Sequence, residues 1–426
     1  MTWEGVVGEA VKRFIIIAAM TAIPLAAWAQ NTQVLRDRDR DLAGAKRVVG
    51  EIQQANIHSG PFYLWSRIRL SDAGFTEDVY LPTGEARGGI NLRVEAPNRF
   101  YFVPHRKTVF TIDAVPGYTF LNRGDRSGQF DYRLRGDAHF LLNHLYLDAY
   151  MNLTDQLRAQ VADINRLATQ RERESGLGGE LKYSSRTSMF FSGNYREVKF
   201  PTNRLQPKDV PQITLLDRIE RNGRLSLHHK TFPLTSLFVA AEASTYGFRR
   251  ATYKDSSRRY AGAGFIRASG RTSLRVEAGR TRLDFDDPTE RDYSGITGEI
   301  GIGRSNGRWN TTLTGQRDIG FSIFGDPVTL QNDNNYYIST AGSLQVQYSA
   351  TRKLNLRGGL TAERDNYDVP VHGLLREDIL TYSYVGFIYS FRRLALGADL
   401  GWFTRESNFL GDDSGIRWVL HLSFTP

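Results

Sequence analysis

Histidines, adjacent carboxylates and alternating arginines are the residues of this chain whose types could do chemistry. His228-His229 cannot both face one way on an extended segment, and His139, His144 and His421 lie elsewhere, so no metal site is expected. Asp286-Asp287 and Asp412-Asp413 stand among turn residues, where solvated loop charges are favoured over a hydrolase pair or a calcium site. No Gly-x-Ser-x-Gly elbow, phosphate loop or His-Glu-x-x-His motif is present. The sequence therefore points away from an enzyme and implies no cofactor. What remains is a set of aromatic and charged residues at every second position: Tyr63, Trp65, Arg67 and Arg69; Arg93 and Glu95; Arg133 and Arg135; Tyr146 and Tyr150; Arg275 and Glu277; then Glu299, Arg357 and Glu363. If these share one water-filled space, the aromatics can stack on sugar rings and the arginines can favour anionic groups. Mutually neutralising filler is an equally good reading of the same residues.

A period of two means strands with unlike surroundings on their two faces. In Gln129–Leu142, Phe130, Tyr132, Leu134, Ala138 and Phe140 alternate with Asp131, Arg133, Arg135, Asp137 and His139. About eighteen such runs are legible between Phe62 and Phe424, ending in a hairpin over Leu394–Phe424. Most are ten residues or longer, against the roughly five or six of a soluble sandwich and the roughly 9–11 needed to cross a membrane obliquely. Tight connections such as Asn143-His144 and Phe391-Arg392-Arg393 alternate with long ones such as Arg158–Arg171 and Pro201–Asp217. Short turns on one rim and long loops on the other predict an all-β, antiparallel, up-and-down transmembrane barrel, with periplasmic turns and extracellular loops.

The net charge of +9 is dispersed among acids and forms no dense patch, which excludes nucleic acid as the expected partner. The chain has no cysteine, in keeping with an envelope protein that needs no disulfides. Lys12 and Arg13 precede an apolar run from Phe14 that ends in Ala27-Trp28-Ala29, so residues 1–29 read as a signal peptide. Residues 30–60 open with an alternating Arg-Asp run, then offer a thin apolar stripe of Leu42, Val48, Val49 and Ile52. They are expected to form a periplasmic extension or a plug segment ahead of a barrel over 61–426.

The last hairpin carries Leu396-Gly397-Ala398-Asp399-Leu400-Gly401-Trp402-Phe403-Thr404-Arg405-Glu406-Ser407-Asn408 and Val419-Leu420-His421-Leu422-Ser423-Phe424. It resembles the closing strands of an outer-membrane β-barrel porin group linked to exopolysaccharide production. Thr425-Pro426 follow Phe424, a departure from the terminal aromatic of such barrels. The resemblance implies a passive outer-membrane channel that could pass a secreted or capsular polysaccharide, with outer-membrane lipid and periplasmic export components as partners. It carries no catalytic residues. The alternative is a closed structural barrel that binds partners through its extracellular loops.

Overall fold

The computed structural model describes residues 44–53, 55–76, 89–122, 128–159, 167–201, 211–322, 335–367, 375–408 and 412–425. Residues 1–29, expected to be a signal peptide, and the Arg-Asp run at Arg36–Asp41 lie outside the described residues. The chain enters through a helix, α1 (Gly44–Ile52), and a short strand, β1 (Ile57–Ser59). Next come β2 (Phe62–Ser66), β3 (Ile68–Thr76), β4 (Gly89–Glu95), β5 (Asn98–His105), β6 (Thr108–Asn122), β7 (Gln129–Leu141) and β8 (Leu145–Ala159). The middle holds β9 (Leu167–Lys182), β10 (Thr187–Lys199), β11 (Arg218–Phe232), β12 (Thr235–Phe248), β13 (Ser256–Ala268), β14 (Thr272–Phe285) and β15 (Tyr293–Asn306). The last are β16 (Trp309–Phe321), β17 (Tyr336–Ser349), β18 (Leu354–Tyr367), β19 (Glu377–Phe391), β20 (Leu394–Ser407) and β21 (Asp413–Phe424).

Consecutive strands pair antiparallel, and β21 returns to pair with β3, so the sheet closes on itself. β2 and β3 are two halves of one wall strand, as are β4 and β5, because β5 and β4 both pair with β6 at successive registers. Counted by wall strands the barrel has eighteen. The break between β4 and β5 falls at Pro97, which has no N–H to give to a ladder. The alternation of Gly88–Ala96 predicts a strand that ends before Pro97; the wall instead continues to His105, and the tight turn is Arg106-Lys107. Where β21 ends, β1 takes its place beside β2, pairing Ser59 with Phe62 and Ile57 with Leu64. Closure leaves no open edge along the span, which a bilayer requires because it offers no water to an unpaired backbone group.

Burial is inverted relative to a soluble protein. Phe120, Phe130, Leu177, Leu225, Val239, Ile300, Val385 and Leu400 are exposed, while Glu172, Glu277, Thr281, Asp365 and Asp378 are buried. An apolar exterior around a charged interior is the arrangement that lipid outside and water inside select. β19, apolar along both faces in sequence, is sorted by its neighbours. Gly386 lies opposite Arg357 and Asp399 on the inner face, and Val385, Phe387 and Tyr389 lie outside.

Candidate functional site: the inner face of the barrel

The inner wall is built from ion pairs that join residues within a strand, on adjacent strands and across two intervening strands. Arg275 of β14 donates to Glu299 of β15 at 2.8 Å and to Glu277 at 2.9 Å. Arg224 of β11 reaches past two strands to Glu277 at 2.7 Å and also meets Glu242. Arg196 bridges Glu172 and Glu220. Across this sector the side chains fill one another's space: the Glu277 carboxylate has no exposed surface and the Arg224 side chain is 8% exposed.

The wall formed by β18 to β21 and β2 to β7 is more open. Trp65 carries the Arg67 guanidinium over its ring at 5.0 Å, and Arg69 and Arg93 both pair with the Glu95 carboxylate. Arg135 donates to Asp137 at 2.9 Å and lies 4.3 Å over the Tyr150 ring; the Tyr150 hydroxyl donates to Glu174 at 2.7 Å. Tyr146 meets His139 at 3.1 Å, and Arg133 is exposed on the same face. Arg357 pairs with Asp399 at 2.8 Å, and Asp399 also meets the His421 ring at 2.6 Å. Glu363 accepts a hydrogen bond from Ser339 on the adjoining strand. All fifteen residues selected from the sequence thus lie on the inner face, though not in one site. Tyr63 lies at the tight-turn end; Glu277, Glu299 and Glu363 belong to the packed or carboxylate-rich wall.

In three ion pairs of this open wall the cation is the more exposed partner. The side chains of Arg69, Arg99 and Arg357 are 46, 36 and 26% exposed, against 7, 15 and 11% for Glu95, Asp113 and Asp399. In these pairs the carboxylates lie against the wall and the guanidinium groups stand further into the interior. Arg99 stands on β5, beyond the break at Pro97 where the alternation is interrupted, and its partner Asp113 stands on β6.

Among the described residues, α1 and the tip of the β16–β17 pair enter the interior. At the tight-turn end, α1 rests on the inner face: Val48 is buried against Tyr101 and Val109, with Ile52, Tyr63, Val103 and Leu141 around it. Glu51 on the same helix pairs with Arg99 at 3.2 Å. At the long-loop end, the β15–β16 ladder stops at Gly298 and Arg317, yet β16 and β17 remain paired up to Phe321 and Tyr336. This extension leans inward. Phe321 meets Tyr246 and Phe248 of β12 at 4.8 and 5.1 Å between ring centres. Ile319, Tyr336 and Ile338 pack with Leu283 and Phe285 of β14, and Asp318 accepts from Arg258 at 2.6 Å. Lys254, fully buried between β12 and β13, donates to the Ser322 carbonyl at 2.6 Å. The sequence did not show this fold-back, because its residues continue the strand alternation unchanged.

Among the described residues no cluster of three or more His, Cys, Asp or Glu side chains could hold a metal ion. A closed antiparallel sheet with an apolar exterior and a charged interior is the architecture of a transmembrane β-barrel. No family model matches the sequence, and no curated protein does. Among solved structures, the fold is similar to the outer membrane protein OpdK of Pseudomonas aeruginosa, with a TM-score of 0.51 at 12% identity over 85% of this chain and 99% of that one. OpdK with vanillate gives 0.50 at 14% identity over the same shares. At these identities the likeness is one of fold.

Proposed function

We propose that this chain is a porin-like channel that passes small anionic solutes across the outer membrane by diffusion. The observation that carries the reading is the graded exposure of the ion pairs, with Arg69 and Arg357 uncovered and their carboxylates withdrawn; Arg99 stands out from Asp113 in the same way but also meets Glu51 of α1. Because β21 closes onto β3, these arginines and the exposed Arg133 fall on one continuous arc with Trp65 and Tyr150. Cationic groups over low-dielectric walls raise the local concentration of anions. Nearby aromatic rings add stacking for a flat solute. Vanillate, a small aromatic carboxylate, is the ligand of the OpdK structure, and the same chemical class suits this arc.

A polysaccharide chain, the solute implied by the C-terminal hairpin, could use the same aromatics and arginines. The inward β16–β17 extension and α1, which we read as a partial plug, favour the smaller solute. The test is the reversal potential of the refolded mature protein in a planar bilayer under a potassium chloride gradient. Chloride should be preferred a few-fold, and replacing Arg69, Arg99 and Arg357 together by Gln should abolish the preference. Cation preference, or an unchanged reversal potential in the triple variant, would overturn the reading. Silence from a folded barrel would favour the closed structural alternative.

A further inference from the structure

The outer surface carries a feature that the channel does not use. Between β16 and β21, an apolar groove of about 700 Å³ is sunk into the lipid-facing wall. Its floor is low where Gly358 and Ala398 stand, and its sides are raised by Trp309, Tyr348, Leu400 and Trp418. Trp309 and Tyr348 form a tilted pair at 4.5 Å next to the tight-turn rim. The turns directly above the groove carry Arg308, Arg352, Lys353, Arg392 and Arg393, all exposed, and no acid. Two of these cations lie on the outward Phe391 ring, Lys353 at 5.2 Å and Arg392 at 5.6 Å.

Arg392 shows that the charge is kept at a cost. Two-residue β-turns often need a positive φ, which glycine adopts freely. Gly307 fills that role in the β15–β16 turn at φ 58°. In the β19–β20 turn the position is held by Arg392 at φ 51°, a conformation that L side chains resist.

We propose that the groove and its basic cap bind one anionic phospholipid of the periplasmic leaflet. An acyl chain lies along Gly358 and Ala398, the glycerol region meets Trp309 and Tyr348, and the phosphate sits among Arg308, Lys353 and Arg392. Charge complementarity selects this occupant, since each basic residue near an anionic leaflet adds to the attraction. A second copy of the chain is disfavoured. Neighbouring barrels share one orientation in the membrane and would bring two basic rims together, and the rim is basic elsewhere too, at Arg106, Lys107 and Arg271.

The experiment is native mass spectrometry of the delipidated full mature chain in an equimolar mixture of dioleoyl phosphatidylglycerol and dioleoyl phosphatidylcholine. The expected result is one retained phosphatidylglycerol, with preference over phosphatidylcholine reduced at least about tenfold in the Arg308→Gln/Lys353→Gln/Arg392→Gly variant. Ala398→Phe, which fills the groove and leaves the cap intact, should lower retention of both lipids. Heat-modifiable migration on a gel confirms that each variant is folded, and Arg392→Gly relieves the turn. Equal retention of the two lipids by the unaltered protein, unchanged preference in the charge variant, unchanged retention in Ala398→Phe, or a dimer in place of the lipid complex would each overturn the proposal.

Discussion

Glu277 illustrates how much one inner carboxylate carries. Its side chain is wholly buried and accepts from Arg224 and Arg275 on two different strands. Removing one member of a buried ion pair typically costs about 3–5 kcal/mol, because its partner keeps an uncompensated charge. Here each arginine retains a second carboxylate, Glu242 or Glu299, so Glu277→Gln should cost about 3 kcal/mol, at the low end of that range. A lowered urea midpoint for unfolding from liposomes would record it. Arg133, exposed on the same face, is the contrasting position: Arg133→Gln should change stability by less than about 1 kcal/mol. If the two variants unfold alike, the packed wall and the open arc are not different environments.

At the scale of elements, the two intrusions are held by unequal means. The β16–β17 extension has an aromatic cluster, an ion pair and a buried lysine, whereas α1 rests on one buried valine, a partly buried isoleucine and a half-exposed ion pair. Large-to-small substitutions in such packing cost about 3–5 kcal/mol for a phenylalanine, enough to detach a hairpin tip from the wall. Ile319→Ala/Phe321→Ala is therefore expected to raise single-channel conductance. Val48→Asp/Glu51→Lys should do the same at the opposite mouth, and with greater ease, because it both buries a charge and reverses an ion pair. Conductance unchanged in both variants would show that neither element restricts the path.

For the whole molecule, the governing fact is the inversion of burial across a closed sheet. Leu225 lies mid-strand on the outer face and is 50% exposed, beside Ala241 of β12. Leu225→Arg should cost about 2–4 kcal/mol in a bilayer, the penalty for an arginine on the lipid face near the midplane. The cost should fall sharply in a detergent micelle, whose surface adapts. Equal stability of the variant and the unaltered barrel in both media would contradict the assignment of that face to lipid.

Much of this was legible without coordinates. Alternation of side chains is a local property of a strand, so inner and outer residues could be separated wherever one face was polar. Turn length is equally local, and it set the number of wall strands and which rim carries the short turns. Where locality failed, so did the reading: Pro97 hid the strand from Asn98 to His105, and β19 had no polar face to mark its inside. Three things belonged to the tertiary structure alone. Which arginine meets which carboxylate depends on register between strands up to 53 positions apart, as with Arg224 and Glu277. The arc of arginines exists only because closure puts β21 beside β3, joining residues from the two ends of the chain. The inward lean of β16 and β17 arises from packing on β12 to β14, and no strand carries in its own sequence the direction in which its end will bend.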